Sequence, residues 1–382
     1  MKVILSTDPV KFPLTGIGRY TYELAKGLQS ADLDRLAFLR GYRIEKDLPI
    51  IAQTDPMARQ ATWKTRAQKN QLAVALYRRL NPWLKARALQ GLEDHLFHGP
   101  NYYLPPFSGR SIVTIHDLSA YLWTDSHPPE RVRYMQAEIE LSLKRASALI
   151  TDTEYTRHEV AKFFGWPLEK IHAVPLACSQ DFRPRTSNDL MPVLARYNLA
   201  PNAYALAIST IEPRKNIETL IDAYGRLSTD LKTRFPLVLA GYTGWESEAL
   251  HRKITNAERE GWLRYLGYVQ ATDLPFVLSG ARLFSFPSLY EGFGLPVLEA
   301  MASGVPVIAS NASTLPEVTN GAALLHDPRD TITLTNLLAQ GLDDEAWLTS
   351  ARDKGLVRAA QFSWEKCTQQ TLTAYRAALA AD

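Results

Sequence analysis

Glu291 and Glu299 stand eight residues apart and enclose the run Gly-Phe-Gly-Leu-Pro-Val-Leu, and this is the part of the chain best suited to chemistry. Gly292 and Gly294 permit a tight turn, and Pro296 suits the first turn of a helix, where a missing N–H costs nothing and φ is already set. Arg282-Leu-Phe-Ser-Phe-Pro287 reads as a buried strand before that turn. The segment is therefore a strand end, a loop and a helix N-terminus. Free N–H groups beside glycines, where the backbone can come close, form a site for an anion such as a phosphate. Two carboxylates would be repelled by that phosphate. They fit better as acceptors for hydroxyl groups on whatever carries it, such as a ribose and a sugar.

Arg214 and Lys215, in Ile211-Glu-Pro-Arg-Lys-Asn-Ile217, follow the apolar strand Tyr204–Ser209 and precede a helix that Asn216 is placed to cap. A guanidinium fork beside an ammonium point charge suits a diphosphate, although a solvated basic turn has the same composition. Glu212 is the expected structural partner of one of the two cations. His116 closes a strand in Thr114-Ile-His-Asp-Leu118, with Asp117 placed to orient its ring or a second substrate. On its own a single histidine is more often a packing residue than a ligand. Asn101, Tyr102 and Tyr103 occupy another loop and would line a groove, though core packing accounts for two tyrosines equally well.

Taken in chain order these segments resemble the motifs of the family-4 glycosyltransferases, retaining enzymes of the two-domain GT-B fold. Gly16-Ile-Gly18 follows the first strand, Glu-Pro-Arg-Lys-Asn follows the strand ending at Ser209, the Glu291 and Glu299 element comes next, and Phe362-Ser-Trp-Glu-Lys366 lies near the end. Together they cover most of the chain. The resemblance implies that Gly16, Gly18, Arg214, Lys215, Val269, Glu291, Phe293, Gly294, Leu295 and Glu299 surround a nucleotide-sugar donor, with the base edge held by the backbone of Val269. It implies a catalytic group of Glu291, His116, Arg214 and Lys215, in which His116 meets the donor sugar. Asn101, Tyr102, Tyr103 and Asp117 fall to the acceptor. The Glu-Pro-Arg-Lys-Asn form is most similar to mannosyl or deoxymannosyl transferases of surface polysaccharide (O-antigen) assembly. That similarity points to a GDP-sugar donor and a lipid-linked glycan acceptor on the cytoplasmic side of a bacterial membrane.

No motif in the first half supplies the carboxylate nucleophile of a double displacement, and no Asp-x-Asp pair stands ready for a divalent ion. The expected reaction is thus a front-face return that needs no metal or other cofactor. A dinucleotide-binding reading of Gly16-Ile-Gly18 lacks its third glycine, since Thr21 stands there. A phosphorylase, a sugar-nucleotide epimerase and a non-catalytic nucleotide-sugar-binding subunit remain open on the same fold.

The elements that must position these residues alternate between strand and helix, which argues for parallel sheets covered on both faces. Expected strands in the first half are Lys2–Ser6, His95–His98, Ser111–His116, Ala148–Thr151 and Ile171–Val174. In the second half they are Tyr204–Ser209, Pro236–Gly241, Leu263–Gly267, Leu283–Phe286 and Val305–Ala309. With 382 residues, two α/β domains of the doubly wound, Rossmann-like kind face a central cleft. The expected boundaries are 1–180 for the acceptor domain, 181–200 for a proline-bearing linker, 201–361 for the donor domain and 362–382 for a last helix, opened by Ser363, that returns to the first domain. A net charge of +3 is too small to imply nucleic acid, and Cys178 and Cys367 have no metal-type spacing and read as free thiols.

No stretch reaches the roughly 18 apolar residues of a spanning helix, so any membrane contact is expected to be peripheral. The candidate is residues 57–92, where Arg59, Lys64, Arg66, Lys69, Arg78, Arg79, Lys85 and Arg87 occur without one Asp or Glu. Trp63, Leu72, Leu76, Tyr77, Leu80, Trp83 and Leu84 are interleaved with them. A basic helix with such a face suits an anionic bilayer surface, while a solvated helical pair packed on the first sheet is the alternative.

Overall fold

The computed structural model describes residues 1–48 apart from 13 and 15, 71–242 and 248–380, with side chains of 71–79 left aside. The first sheet has seven strands in the order β3-β2-β1-β4-β5-β6-β7. These are β1 (Lys2–Ser6), β2 (Arg35–Arg40), β3 (Arg43–Glu45), β4 (Leu96–Gly99), β5 (Ser111–Thr114), β6 (Ala148–Thr151) and β7 (Ile171–Ala173). The second has six, in the order β10-β9-β8-β11-β12-β13. They are β8 (Ala205–Ile208), β9 (Leu237–Ala240), β10 (Leu263–Tyr265), β11 (Leu283–Phe286), β12 (Val307–Ser310) and β13 (Leu324–His326). Every pairing is parallel except β2 with β3.

Burial on both faces explains the near-continuous apolar character of these strands. Val3 and Leu5 pack in one layer with Tyr20, Leu24 and Leu28 of the helix Gly16–Gln29, while Ile4 packs in the opposite layer with Phe97 and Val113. Each such buried aliphatic side chain stabilises the fold by about 1.5 to 3 kcal/mol relative to exposure. In each sheet the strand order reverses once, between β1 and β4 and between β8 and β11. A doubly wound sheet opens a crevice at that reversal, beyond the carboxyl ends of its strands. The loops there carry Asn101 to Tyr103 in the first sheet, and Arg214, Lys215 and Glu291 in the second.

The last helix, Trp364–Ala380, crosses back to the first domain. The hydroxyl of its buried Tyr375 lies 2.7 Å from Nδ1 of His98 in β4. Gly27 lets it approach closely, since a Cβ there would lie 2.0 Å from Oγ1 of Thr368. Ser363 takes the Lys366 N–H at 3.1 Å, as a capping serine does.

Three strands escape the sequence pattern. β2 buries only Ala37, Phe38 and Leu39 between charged ends, and β3 and β13 have three residues each. Such short runs are below the length at which a period is legible. The 181–200 segment contains the helix Ser187–Leu194, opened by a Thr186–Asp189 capping box, with Leu190 and Leu194 buried in the core.

Candidate active site

In the second domain β11 leads into the loop that carries Glu291 and then into the helix Leu295–Ala302. Gly294 makes the turn at φ +97°, a left-handed conformation that glycine adopts without strain, and Pro296 lies in the first helical turn. The Glu291 N–H is held by Oγ of Ser313 at 2.9 Å. Its carboxylate accepts from Lys215 Nζ at 2.6 Å, and Arg214 Nη1 lies 3.7 Å from the other oxygen.

Arg214 itself is a half-buried hub. Its Nη1 donates to the Tyr290 carbonyl at 2.9 Å and its Nη2 to Glu212 at 3.0 Å. Burial alone would lower the guanidinium pKa, but Glu291, Asp117 and Glu212 outweigh it and hold the charge in place. Asn216 departs from the expected cap. It sits at the helix start with φ +56°, and its side chain ties down the Pro287 and Pro328 carbonyls instead of a helix N–H. Glu299, half-buried one turn into the Leu295–Ala302 helix, is pushed up to about 8 by burial, with the charge of Arg19 pulling the other way.

His116 lies just past β5, two residues beyond its end at Thr114. Nε2 donates to the Pro100 carbonyl at 3.0 Å and Nδ1 lies 2.8 Å from Oδ2 of Asp152. The partner that orients the ring is therefore Asp152 and not Asp117, whose Oδ1 accepts the Ser119 N–H at 2.8 Å in a local turn. Burial disfavours a charged His116, yet Asp152 outweighs it and raises the imidazole pKa; burial also raises that of Asp152.

Two cavities flank this centre. One, of about 290 Å³, lies in the first domain and is walled by Asn101, Tyr102, Tyr103 and the ion pair of Asp8 with Lys85. Asp117 is not among its walls and stands within electrostatic range of Arg214 instead. Lys85 is buried, with Nζ 4.9 Å from the centre of the Tyr103 ring. An outward, membrane-facing Lys85 is thus excluded, because Asp8 supplies a counter-charge from the β1 loop. Residues 57–70 of the basic segment lie outside the described residues; Leu80 and Trp83 are exposed.

The second cavity, also about 290 Å³, is lined by Lys215, Pro296, Val269, Tyr242 and Tyr268, the rings of the last two stacking 4.7 Å apart. Phe293 is buried in the core beneath the Glu291 loop, in edge contact with Phe362. Gly16 faces Leu295 across the domains, the nearest contact of a Cβ there being Leu295 Cδ1 at 3.9 Å. Gly18 has a packing reason instead, since a Cβ there would lie 2.9 Å from the Pro9 carbonyl.

Comparison with known proteins decides the class. Residues 14–179 match the family described as Glycosyltransferase Family 4, and residues 198–357 match Glycosyl transferases group 1. An O-antigen chain mannosyltransferase B of Escherichia coli is 42% identical over 98% of this chain and 100% of its own length. The chain belongs to the family-4 glycosyltransferases.

A serotype-specific mannosyltransferase WbdA of Escherichia coli is 30% identical to this glycosyltransferase over 67% of the chain, which spans 32% of that longer protein. The GT-B architecture is shared with Anabaena HepE solved with UDP and glucose, at TM-score 0.72 and 17% identity over 99% of this chain and 100% of that one. Arg214, Lys215 and Glu291 of the glycosyltransferase meet at the cleft, whereas Gly18 and Phe293 are packed; Asp8, Asp152, Tyr242, Tyr268 and Ser313 do not stand out in its sequence, and Lys85 does so only as part of the basic segment. Each lies in a loop after a strand or against one, and a systematic reading of strand-end loops for aromatic and acidic residues would have found Asp8, Asp152 and the tyrosine pair.

Proposed function

We propose that this glycosyltransferase moves mannose, or a deoxymannose such as rhamnose, from a GDP-sugar to a lipid-linked glycan in O-antigen or related polysaccharide synthesis, with retention of anomeric configuration. The observation that carries this reading is Lys215 on Glu291 beside Arg214, at the start of a helix, in the lining of a cavity that two stacked tyrosines also line. A nucleoside diphosphate fits that lining: the base against Tyr242, Tyr268 and Val269, the diphosphate at Lys215 and Arg214. In this reading Glu299 accepts the ribose hydroxyls and Glu291 those of the sugar. The full-length likeness to an O-antigen chain mannosyltransferase supports mannose and a glycan acceptor.

In the reaction the bond between the anomeric carbon and the diphosphate oxygen breaks and a bond to the acceptor oxygen forms. The acceptor proton passes to the departing phosphate. Negative charge grows on that phosphate, where fixed donors contribute about 3 to 4 kcal/mol each. Here Lys215, Arg214 and the N–H groups at the Leu295–Ala302 helix start are those donors, and this set accounts for the charge without a metal. Among first-domain carboxylates, Asp152 is turned onto His116 and Glu159 onto Tyr290, which favours a front-face return over a double displacement. The acceptor's glycan end fits the first cavity, with its lipid at the cytoplasmic membrane surface.

The test is a thermal-shift panel with GDP, UDP and ADP, followed by turnover of the matching mannose, rhamnose and glucose donors. GDP should raise the melting temperature most, since binding to the folded form alone stabilises it. A larger shift with UDP or ADP would overturn the donor assignment. Loss of turnover in Asp117→Asn with rescue by azide would overturn the front-face mechanism.

A further inference from the structure

Tyr290 stands immediately before Glu291, and no step above uses its ring or its hydroxyl. Its backbone belongs to the second domain, but its buried side chain docks on the first. The phenol oxygen accepts the Leu118 N–H at 3.0 Å and donates to Oε2 of Glu159. The ring stacks on Trp123, centroids 6.2 Å apart. At its other end the Tyr290 carbonyl accepts from Arg214 Nη1 at 2.9 Å, and the Arg214 carbonyl accepts the Leu289 N–H at 2.8 Å. One residue thus joins the loop of His116 and Asp117 to the guanidinium beside Glu291.

Gly292 makes room for that junction. A Cβ there would lie 2.3 Å from the His116 carbonyl oxygen and 3.0 Å from Asp117 Cβ, and backbone cannot yield as a flexible side chain can. A second clasp supports it: the Glu317 carboxylate of the second domain accepts the N–H groups of Glu154 and Tyr155, both at 2.9 Å. These open the helix Glu154–Phe164, which also carries Glu159. A carboxylate at a helix N-terminus is favoured by the helix dipole.

We propose that Tyr290 is a positioning residue: its hydroxyl, held by Glu159 and Leu118, sets the Glu291 loop against the His116 loop so that donor and acceptor halves meet in one geometry. The inference rests on the glycosyltransferase reading and deepens it. A misplacement of about 1 Å in such a site costs on the order of 100-fold in rate. Tyr290 belongs to neither cavity lining, so ground-state nucleotide binding is independent of it.

Tyr290→Phe keeps the ring and its stacking while removing the hydroxyl. Glu159→Gln retains an acceptor for that hydroxyl, whereas Glu159→Leu does not. Expected is a fall in kcat of about tenfold or more for Tyr290→Phe and Glu159→Leu, with the Kd for GDP within about twofold of the parent and with Glu159→Gln near parental. Small-angle scattering of the unliganded proteins should give a broader distance distribution for Tyr290→Phe than for the parent. A kcat for Tyr290→Phe within about twofold of the parent overturns the proposal. So does a loss of GDP affinity and melting temperature in step with kcat, or Glu159→Gln as damaged as Glu159→Leu. If the parent transfers no sugar, the proposed function falls on its own. The scattering comparison needs no turnover and still decides, since identical distributions contradict the positioning role.

Discussion

The two halves of the cleft are built from different chemistry. On the second-domain side Arg214, Lys215, Glu212 and Glu291 crowd into one charged cluster, with Glu299 in the helix that follows the Glu291 loop. On the first-domain side the cavity is walled by tyrosines and an asparagine around one compensated pair, Asp8 with Lys85. On the proposed function, the difference follows the charge of what each half would hold. A diphosphate demands fixed cations, and those cations must be neutralised when it is absent; Lys215 on Glu291 does this. A glycan offers hydroxyls and apolar ring faces, for which aromatic walls and a few oriented polar groups suffice.

Removing the charge from the first-named side should have the largest effect. Lys215→Ala strips the leaving group of a cation and leaves Glu291 partly unpaired, for an expected loss of about 2 to 5 kcal/mol in kcat/KM. Steady-state kinetics with and without EDTA check it. A parental response to EDTA beyond a small change would show that a metal shares the work.

Next in size, Glu291→Ala should lower kcat by on the order of 100-fold while the Kd for GDP, by calorimetry, stays within a few fold. Nearly normal turnover would mean that this carboxylate does not meet the sugar. On the other side of the cleft, Asp8→Asn should raise the KM for acceptor by about tenfold with donor affinity unaltered. If donor affinity shifts instead, the two halves are not separable as described.

The smallest effect concerns Glu299, and its sign is fixed by linkage. Its folded pKa, about 8, lies above the ordinary 4.5. Between those values the folded state keeps a proton that the unfolded state has lost. The stability from this group is therefore complete below about pH 4.5 and is lost as pH rises toward 8. Thermal melts should show Glu299→Gln gaining on the parent across that window, and a constant difference would contradict the shift. Over pH 7 to 9 the parent should bind GDP more tightly as Glu299 ionises, a trend absent in the variant.

The charged half was largely legible in the sequence because its parts are local. A strand end, a glycine turn and a helix start lie within about a dozen residues, and helix termini impose residue types on their neighbours. The other half was not. Asp152 reaches His116 from the end of β6, and Lys85 reaches Asp8 from the helix Gln71–Ala88, contacts that only the tertiary fold creates. The alternation of strand and helix predicted two sheets, but β2, β3 and β13 were too short to betray a period. Asn216 follows neither route, since a left-handed backbone at a helix start has the same sequence as an ordinary cap.

In the proposed mechanism the diphosphate leaves and the acceptor arrives on one face of the sugar, between these two halves. The most direct measurement is proton NMR of the product formed from GDP-mannose and a lipid-linked glycan primer, read at the anomeric signal of the newly linked residue. The α configuration of the donor, kept in the product, is the predicted result. A β-linked product would contradict the mechanism, and transfer from a different nucleotide sugar alone would contradict the donor site on which it is built.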